Sequence, residues 1–263
     1  MIPVDDPFSL SRLYHLNSEP WLNEQAYREG PFLHEYMDHT GASARVDLPA
    51  PAGGALARMF AARQSTRAFA PWTMPLATLS ELLFAAHGVV GIMPLEAGGA
   101  YLRRSVPSAG ALYPLEIFLL LRDIENLEDG IYGFDPRSHA LDRLFSRTRL
   151  EQALGAFYTS PYLGGANVIV CHVAVFGRCQ KKYGPRGYRY ILLEAGHSAQ
   201  NLCLAAEERG LATLCMGGFK DSMLNRCLGL SAPDEGVVYS VAVGKAEKPL
   251  PSVDARDAVP APD

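Results

Sequence analysis

The sequence predicts an α+β fold, and three observations lead to that prediction. Mainly apolar segments that are typical of buried strands occur at residues 115–121 and 167–176. Apolar residues at helical spacing occur around these runs, most extensively over residues 190–209. The two kinds of segment interleave without a strict strand–helix–strand repeat. We therefore expect a mixed sheet wrapped by helices.

Local patterns place the elements of the first half of the chain. Leucines at helical spacing follow Pro75, a residue suited to the first turn of a helix, and Gly88 ends the pattern. Two short apolar runs flank the sequence Asp-Pro-Arg-Ser, which is typical of a hairpin turn. The predicted elements are a helix at 75–88, a strand at 115–121, a hairpin with strands at 130–134 and 140–145, and a short helix at 149–157.

The second half of the chain contains the most apolar segments. Residues 167–176 are rich in Val and Ile, which favour strands. Broad apolar faces over residues 190–209, followed by Gly210, predict a buried central helix. The remaining predicted elements are a strand at 211–215, a short helix from Asp221 to Leu228, and a strand at 237–243.

Composition divides the chain into three parts. Residues 1–55 are rich in aromatic and polar groups and end in a Pro/Gly/Ala stretch, so we expect an extension that packs on the body or on a partner subunit. Residues 56–246 carry all the predicted elements and form the main domain. Residues 247–263 contain several prolines without apolar periodicity, and we expect a loose tail.

Charge and hydropathy disfavour two classes of partner. The net charge is −4 and the basic residues are scattered, which argues against nucleic acid and anionic membranes. No apolar run is long enough to cross a membrane, and the first residues lack the pattern of a signal peptide. The five cysteines form no C-x-x-C pair and mostly lie in apolar runs, which indicates a reducing compartment. We therefore expect a cytoplasmic protein.

Several common motifs are absent from the sequence. Neither G-x-G-x-x-G nor G-x-x-x-x-G-K-[ST] occurs. His34 and His39 are five residues apart, so on a helix they diverge and cannot bind one zinc ion. The stretch around Ser198 resembles a nucleophile elbow, but Gln200 replaces the closing glycine and the pattern is helical. The sequence therefore predicts neither a metal site nor a serine hydrolase.

Two segments carry cations and hydroxyls that suit a phosphate and a sugar chain. Arg63, Ser65 and Arg67 lie close together just before a predicted helix, and arginine offers a bidentate donor fork. Lys245 closes the last predicted strand as a lone cation. Taken alone, the first segment is more typical of a solvated basic turn.

Two other segments suit the close approach of the backbone to a flat ligand. The loop between Pro107 and Pro114 contains small residues and is stiffened by the prolines at its ends. A Gly-Gly pair follows a predicted strand, where main-chain N–H groups can donate to a ring nitrogen. Taken alone, the first of these segments is more typical of a strand-entry loop and the second of a tight turn. The candidate binding residues in them are Pro107, Ser108, Ala109, Gly110, Leu112, Met216, Gly217 and Gly218.

The order of these segments carries more information than any one of them. RQSTRAF, PSAGALYP, RYILLEAGHSAQNL, GLATLCMGGF and VAVGK follow one another within residues 56–246. This series resembles that of the nitroreductase superfamily of flavoproteins. The PSAGALYP and LEAGHSAQNL forms are similar to its azoline-oxidase branch, the SagB-type dehydrogenases.

The resemblance implies a mixed sheet wrapped by helices and an intertwined homodimer with two FMN sites at its interface. It implies that Arg63 and Ser65 bind the ribityl chain and phosphate, and that Arg67 lies near the flavin pyrimidine edge. It also implies that Lys245 binds the phosphate and that the glycine pair donates to flavin N5. The loop at 107–110 would lie against the isoalloxazine of the other subunit.

The sequence departs from the ordinary nitroreductases at two of these segments. Many of those enzymes have a Glu-Gly pair where Gly217 and Gly218 stand, and a Pro-Ser-Ser-x-Asn loop where residues 107–111 stand. The loss of a carboxylate and an amide changes the polar contacts to the flavin. These departures argue against an ordinary NAD(P)H-driven nitroreductase.

The azoline oxidases are associated with a Lys-Tyr pair beside the flavin, and two pairs here are candidates. Arg189-Tyr190 occupies the matching position just before Leu-Leu-Glu-Ala-Gly, whereas a literal Lys182-Tyr183 pair lies seven residues earlier. We expect Tyr190 to be the general base, because Arg189 and a helix N-terminus would both favour its phenolate form. Tyr183 lies in polar surroundings and is the competing candidate. The sequence leaves this choice open.

The leading functional hypothesis is an FMN-dependent oxidase. A base would take a proton from one carbon, a hydride would pass from the adjacent carbon to FMN, and O2 would reoxidise the flavin. An azoline in a peptide or natural-product intermediate would become an azole, with biosynthetic proteins as further partners. One alternative is an NAD(P)H-dependent reductase of nitro or quinone compounds. Another is a non-catalytic subunit that docks a flavin or a peptide.

Overall fold

A computed structural model describes residues 11, 13–15, 18, 41–49, 53–94 and 98–248. Two short 3-10 turns, Ala109–Ala111 and Ser160–Tyr162, interrupt the loops between its elements. The helices and strands along the described chain are, in order, α1 (Ala55–Ala62), β1 (Phe69–Ala70), α2 (Leu76–His87), β2 (Val89–Pro94), β3 (Ala100–Arg104), β4 (Leu115–Leu121), β5 (Gly130–Asp135), β6 (Ala140–Ser146), α3 (Arg147–Leu154), β7 (Val168–Val175), α4 (Phe176–Tyr183), α5 (Arg186–Glu208), β8 (Ala212–Met216), α6 (Asp221–Leu228) and β9 (Glu235–Ala246).

A seven-stranded sheet forms the centre of the fold. Its strand order is β1-β9-β7-β4-β5-β6, and β8 also pairs with β9. All the named pairs are antiparallel, and β2 and β3 form a separate antiparallel hairpin. The α+β class is confirmed, but the expected mixed sheet is antiparallel here. Parallel pairing within the described residues is limited to single bridges, Ser65 with Thr213 and Met74 with Ile124.

The central strands are buried on both faces because they carry apolar residues at successive positions. Val168 and Val170 of β7 pack on the side of α2 and α5, whereas Ile169 and Cys171 pack on the side of α3 and α6. Each fully buried aliphatic side chain contributes roughly 1.5–3 kcal/mol. Two apolar layers on either side of one sheet therefore stabilise the fold.

Most predicted elements are confirmed with small shifts of their bounds. The helix after Pro75, the central strand, the hairpin, the strand at β7 and the last three elements are all present. The prediction missed the β2–β3 hairpin and α4. The helix α4 is short and mostly polar and buries only Phe176, Cys179 and Gln180. The central helix begins at Arg186 rather than near residue 190, since Pro185 supports its first turn.

The extension and the tail lie largely outside the described residues. His34, His39 and residues 249–263 cannot be compared with the expectations made for them. The described part of the extension contacts the body: the His15 ring packs edge-on against Phe176, with centroids 5.1 Å apart, and its Nδ1 lies 3.2 Å from the hydroxyl of Tyr188. The division into an extension at 1–55, a domain at 56–246 and a tail stays a prediction. No helix of the described chain is long and apolar enough to cross a membrane.

Candidate functional site

Lys182 and Tyr183 lie at a corner between two helices. α4 follows β7 directly and ends at Tyr183, where Gly184 has a φ of 58° that residues with side chains rarely adopt. α5 then begins at Arg186 and packs against α4. The ring of Tyr183 meets that of Tyr190 at 77°, with centroids 5.0 Å apart. The end of α4 therefore presents Lys182 and Tyr183 beside the start of the central helix.

The two side chains converge on Gly110 of the loop between β3 and β4. A carbon atom placed on Gly110 would lie 2.6 Å from the Tyr183 hydroxyl oxygen and 2.7 Å from Lys182 Nζ. Gly110 also has a φ of 61°, which favours glycine, and a side chain here would displace the ends of Lys182 and Tyr183. Lys182 Nζ lies 5.2 Å from the centre of the Tyr183 ring. An ammonium and a phenol thus meet at the loop backbone.

The structure changes the two points that favoured Tyr190 over Tyr183. α5 begins at Arg186, so Tyr190 lies in the second turn, where the influence of the helix N-terminus has faded. Tyr183 and Tyr190 are both half-buried, and Lys182 and Arg189 are both exposed, so burial class does not distinguish the two pairs. The atoms nearest to Gly110 belong to Lys182 and Tyr183.

The loop itself is held in a strained conformation. Gly110, Ala111 and Tyr113 all have positive φ, which costs about 1–3 kcal/mol for a residue with a side chain. The N–H of Tyr113 donates to Ser108 Oγ at 2.9 Å, and the N–H of Arg104 donates to the Tyr113 hydroxyl at 3.0 Å. The Arg104 guanidinium lies 4.7 Å from the centre of the Tyr113 ring. These contacts offset the strain and fix the position of Gly110.

A buried carboxyl lies beneath this loop. Glu194 of α5 is 2% exposed, and its Oε1 has no hydrogen-bond partner among the residues that the structure describes. Burial raises the pKa of Glu194 to about 7, although the Ser108 hydroxyl and the charge of Arg104 oppose the rise. Sequence reasoning missed this residue. The feature of the sequence that could have identified it is a carboxylate on an otherwise apolar face of the predicted central helix.

Leu112 and Met216 have more ordinary positions than the other predicted binding residues. Leu112 is half-buried and packs against the apolar cluster that includes Leu115 and Ile191. Met216 is 3% exposed, and its sulfur accepts the hydroxyl of Thr159 at 2.9 Å. Pro107 is exposed and Ala109 is half-buried. These residues shape the loop and the strand end, and Met216 belongs to the core.

The predicted cations lie at the end of the sheet opposite the loop between β3 and β4. Arg63 ends α1, and Ser65 forms its bridge with Thr213 of β8. β1 pairs with the end of β9 beside Lys245. Ser65, Arg67 and Lys245 are all exposed. Exposed cations and a hydroxyl at one sheet edge suit a phosphate group.

The glycine pair opens beside a pocket. Gly217 and Gly218 follow β8 directly and lie outside its ladder with β9, which ends at Met216 and Ser240. A pocket of about 280 Å³ lies between α5 and the β8–β9 edge, and its lining is mainly apolar, as suits a flat ring. The lining residues are Leu192, Ala195, Gly196, Ala199, Gln200, Cys215, Val238 and Tyr239.

Strand register places the loop and the cations at opposite ends of the sheet. β7 pairs with β4 at Ala174 and Leu115, beside the loop, and with β9 at Val168 and Val243, near Lys245. At about 3.3 Å per residue, positions 168 and 174 are roughly 20 Å apart. The loop at 107–110 therefore lies far from the cations of its own chain.

The residues present fit a flavin mononucleotide. The cations and Ser65 suit its phosphate and ribityl chain, and the apolar pocket with the adjacent Gly-Gly backbone suits its ring system. Within the described part of the chain, no group of three or more His, Cys, Asp and Glu side chains could hold a metal ion.

The structure combines an antiparallel sheet covered by helices with a cationic edge, an apolar pocket and a constrained loop, which are the features that a flavin-binding protein needs. Residues 60–245 match the Nitroreductase family, so the chain belongs to that family. A solved structure of a family member from Desulfovibrio desulfuricans contains FMN; it has a TM-score of 0.53 and 15% identity, and the match covers 80% of this chain and 99% of that one.

Two curated relatives support the SagB-type branch. The chain is 34% identical to the Microcin B17-processing protein McbC of Escherichia coli over 134 residues, 49% of each protein. It is 32% identical to the Trifolitoxin-processing protein TfxB of Rhizobium leguminosarum bv. trifolii over 149 residues, 54% of this chain and 39% of that protein. The match thus spans half or less of either relative.

The structural match with a chain of a solved microcin synthetase complex covers most of both chains. The E. coli McbBCD complex with truncated pro-MccB17 matches with a TM-score of 0.71 and 22% identity, over 92% of this chain and 94% of that one. The archaeal protein "Putative nitroreductase MJ1384" of Methanocaldococcus jannaschii is 35% identical over 166 residues, 63% of this chain and 80% of that protein.

Proposed function

We propose that this chain is an FMN-dependent dehydrogenase that oxidises an azoline ring in a peptide to an azole, with O2 as the electron acceptor. The likeness to McbC and TfxB supports a peptide substrate, because both are named as processing proteins of microcin B17 and trifolitoxin. The likeness to the McbBCD complex supports biosynthetic partner proteins in addition to the substrate.

The observation that carries this proposal is the convergence of Lys182 and Tyr183 on Gly110. An ordinary reductase needs no side-chain base beside the flavin, whereas the removal of a proton and a hydride from adjacent carbons does. The chain places a phenol and an ammonium at one point of the loop that the family resemblance assigns to the flavin face.

Each residue of this corner has a distinct role in the proposed reaction. Bound FMN would supply the hydride acceptor. Tyr183, as the phenolate, takes the proton from the ring carbon and becomes a phenol, and the Lys182 ammonium stabilises the phenolate before the transfer. Tyr190 packs the edge of its ring on Tyr183 and limits its motion. Arg189 is exposed and lies outside this arrangement in our proposal.

We further propose that the active form is a homodimer with FMN at its interface. Arg63, Ser65 and Lys245 would hold the phosphate and ribityl chain, with Arg67 near the pyrimidine edge and the Gly217–Gly218 backbone at N5. The separation of the loop from the cations within one chain supports a site completed by the loop of a second chain. The purified protein should be yellow, release FMN on denaturation and have a solution mass twice 28.6 kDa.

Turnover of an azoline peptide tests the activity directly. We expect each ring to lose the mass of two hydrogen atoms while one O2 is consumed, without NAD(P)H. A synthetic peptide that contains an azole in place of the azoline is the matched control and should remain unchanged. A yellow protein that leaves thiazoline and oxazoline peptides intact, alone and with its biosynthetic partners, would contradict the proposal.

A nitro or quinone reductase is the second candidate, and one comparison favours it. MJ1384 is named as a nitroreductase, and the match covers 80% of that protein. Anaerobic mixing with NADPH distinguishes the two functions. Fast bleaching of the flavin followed by reoxidation with a nitroarene would favour the reductase, whereas an unchanged flavin spectrum is expected for the dehydrogenase.

A further inference from the structure

The helix that presents Lys182 and Tyr183 is too short to be fixed by its own hydrogen bonds. It spans only Phe176–Tyr183, and most of its residues are polar. Isolated helices shorter than about 12–15 residues are marginal in water, so the position of α4 depends on tertiary packing. Its main packing partner among the described elements is α5. A carbon atom placed on Gly187 of α5 would lie 2.9 Å from backbone atoms of α4, so the two helices meet closely on that side.

A second set of contacts reaches α4 from the N-terminal extension. Gln180 of α4 is 3% exposed, and its Nε2 donates to Ser11 Oγ at 2.7 Å. The His15 ring packs edge-on against Phe176, the first residue of α4. Phe176, Gln180 and Tyr183 occupy positions i, i+4 and i+7, which lie on one face of a helix. The extension therefore contacts the face of α4 that carries Tyr183.

His15 also joins α4 to α5. Phe176 stacks on Tyr188 of α5, with ring centroids 5.7 Å apart and an interplanar angle of 21°. His15 Nδ1 lies 3.2 Å from the Tyr188 hydroxyl, and the Tyr14 ring meets the Tyr188 ring at 77°. Burial, and to a lesser extent the nearby Tyr14 and Asp221, raises the pKa of Tyr188 to about 12. Tyr188 therefore stays a phenol and acts as a hydrogen-bond partner of His15 rather than as a base.

We propose that Ser11, Tyr14 and His15 fix the position of α4, and that His15 is a positioning residue for Tyr183. This inference rests on the proposed function, in which Tyr183 is the base. A base must lie within hydrogen-bond reach of the proton that it takes, and a displacement of about 1 Å can slow a reaction about 100-fold. The extension thus acts on the reaction through α4, without contacting the reacting atoms.

Two substitutions in different parts of the chain disturb the same contact. His15→Ala removes the ring and its hydrogen bond. Gly236→Ala leaves the extension unchanged, but its methyl group would lie 2.8 Å from His15 Nε2 and would displace the ring. The φ of Gly236 is not positive, so its backbone accepts alanine. The double variant should react no more slowly than His15→Ala, because the ring that Gly236→Ala displaces is then already absent.

His139 provides a matched control. Its ring packs edge-on against Phe134, with centroids 5.5 Å apart, and its Nε2 lies 2.7 Å from Ser80 Oγ. These contacts are of the same kinds as those of His15, but they lie at the turn between β5 and β6 rather than at α4. His139→Ala should therefore leave α4 and the reaction unchanged.

Hydrogen exchange of the full-length protein, as purified, measures how firmly α4 is held. We expect the amides of α4 to exchange at least about tenfold faster in His15→Ala and in Gly236→Ala, while those of α3 do not change. His139→Ala should match the unsubstituted protein in both helices. The measurement needs no substrate, so it does not depend on the proposed azoline oxidation. Unchanged exchange of α4 in both variants would overturn the proposal.

Turnover of an azoline peptide, normalised to bound flavin, measures the positioning of the base. In both variants kcat should fall about 10- to 100-fold while KM changes less than about twofold, because the base is displaced and the substrate still binds. The content of bound FMN should not change, since the predicted cations lie at the opposite end of the sheet. Faster exchange of α4 with an unchanged kcat would overturn the positioning role. Absence of turnover by the unsubstituted protein would instead contradict the proposed function, and hydrogen exchange would still decide whether His15 holds α4.

Discussion

The helices on the two faces of the central sheet bury different kinds of side chain. The buried residues of α3 and α6 are apolar except for Asn225, whose Oδ1 accepts the N–H of Val237 at 3.0 Å. On the opposite face, α2 and α5 also bury His87, Glu194 and Ser198. The same sheet therefore has one face that is nearly all apolar and one that carries polar groups.

Hydrogen bonds on the polar face join three elements of the core. Ser198 Oγ donates to the carbonyl of Ala86 at 2.9 Å, so its single proton is used there, and His172 Nε2 must donate to Ser198 at 3.0 Å. Burial lowers the pKa of His172 to about 4, which keeps the ring neutral. These bonds tie β7, α5 and α2 together. We infer that the apolar face stabilises the fold and the polar face orients the site.

The largest effect on stability should come from the apolar face. Leu150 of α3 is fully buried, and Leu150→Ala should lower the free energy of unfolding by roughly 2–5 kcal/mol through the cavity that it leaves. Chemical denaturation measures this loss. Flavin affinity should not change at low temperature, where the variant is folded. A large loss of flavin affinity in the folded variant would show that the apolar face also orients the site.

The variant Glu194→Gln tests the polar face through the pH dependence of the protein's stability. The pKa of Glu194 is raised from 4.5 to about 7, mainly by burial, so its contribution to stability is present below pH 4.5 and is lost as pH rises through 7. The stability of the original protein relative to Glu194→Gln should therefore fall by roughly 3 kcal/mol across this window. Melting curves from pH 4 to 8 measure the difference. A constant difference would show that Glu194 does not titrate there.

Of these three variants, Arg63→Ala should have the smallest effect. It should weaken FMN binding and leave the free energy of unfolding unchanged. The loss of a charge-assisted phosphate contact costs roughly 1.5–3 kcal/mol, which weakens FMN binding by one to two orders of magnitude. Fluorescence titration of the apoprotein with FMN measures the change, and Arg58→Ala on the same helix is the control. Equal affinities for the Arg63 variant and the original protein would show that Arg63 lies in a surface turn.

The apolar face could be predicted from the sequence, and much of the polar face could not. Strands such as β4 and β7 are apolar except for Glu116 and His172, so their hydropathy alone locates them. The corner at Lys182 and Tyr183 depends on α4, whose mostly polar residues carry no strong apolar signal, and on a contact with Gly110 that is distant in sequence. The family motifs identified the loop and the cations. They left open which tyrosine meets the loop, because that depends on where α5 begins.

A comparison of Tyr183→Phe with Tyr190→Phe tests the central claim most directly. Both variants keep the aromatic ring and remove only the hydroxyl, so the fold and the bound FMN should be retained. We expect Tyr183→Phe to oxidise an azoline peptide at least about 100-fold more slowly, the low end for a lost general base, and Tyr190→Phe to stay close to the original rate. Normal turnover by Tyr183→Phe together with an inactive Tyr190→Phe would contradict the account and assign the base to Tyr190.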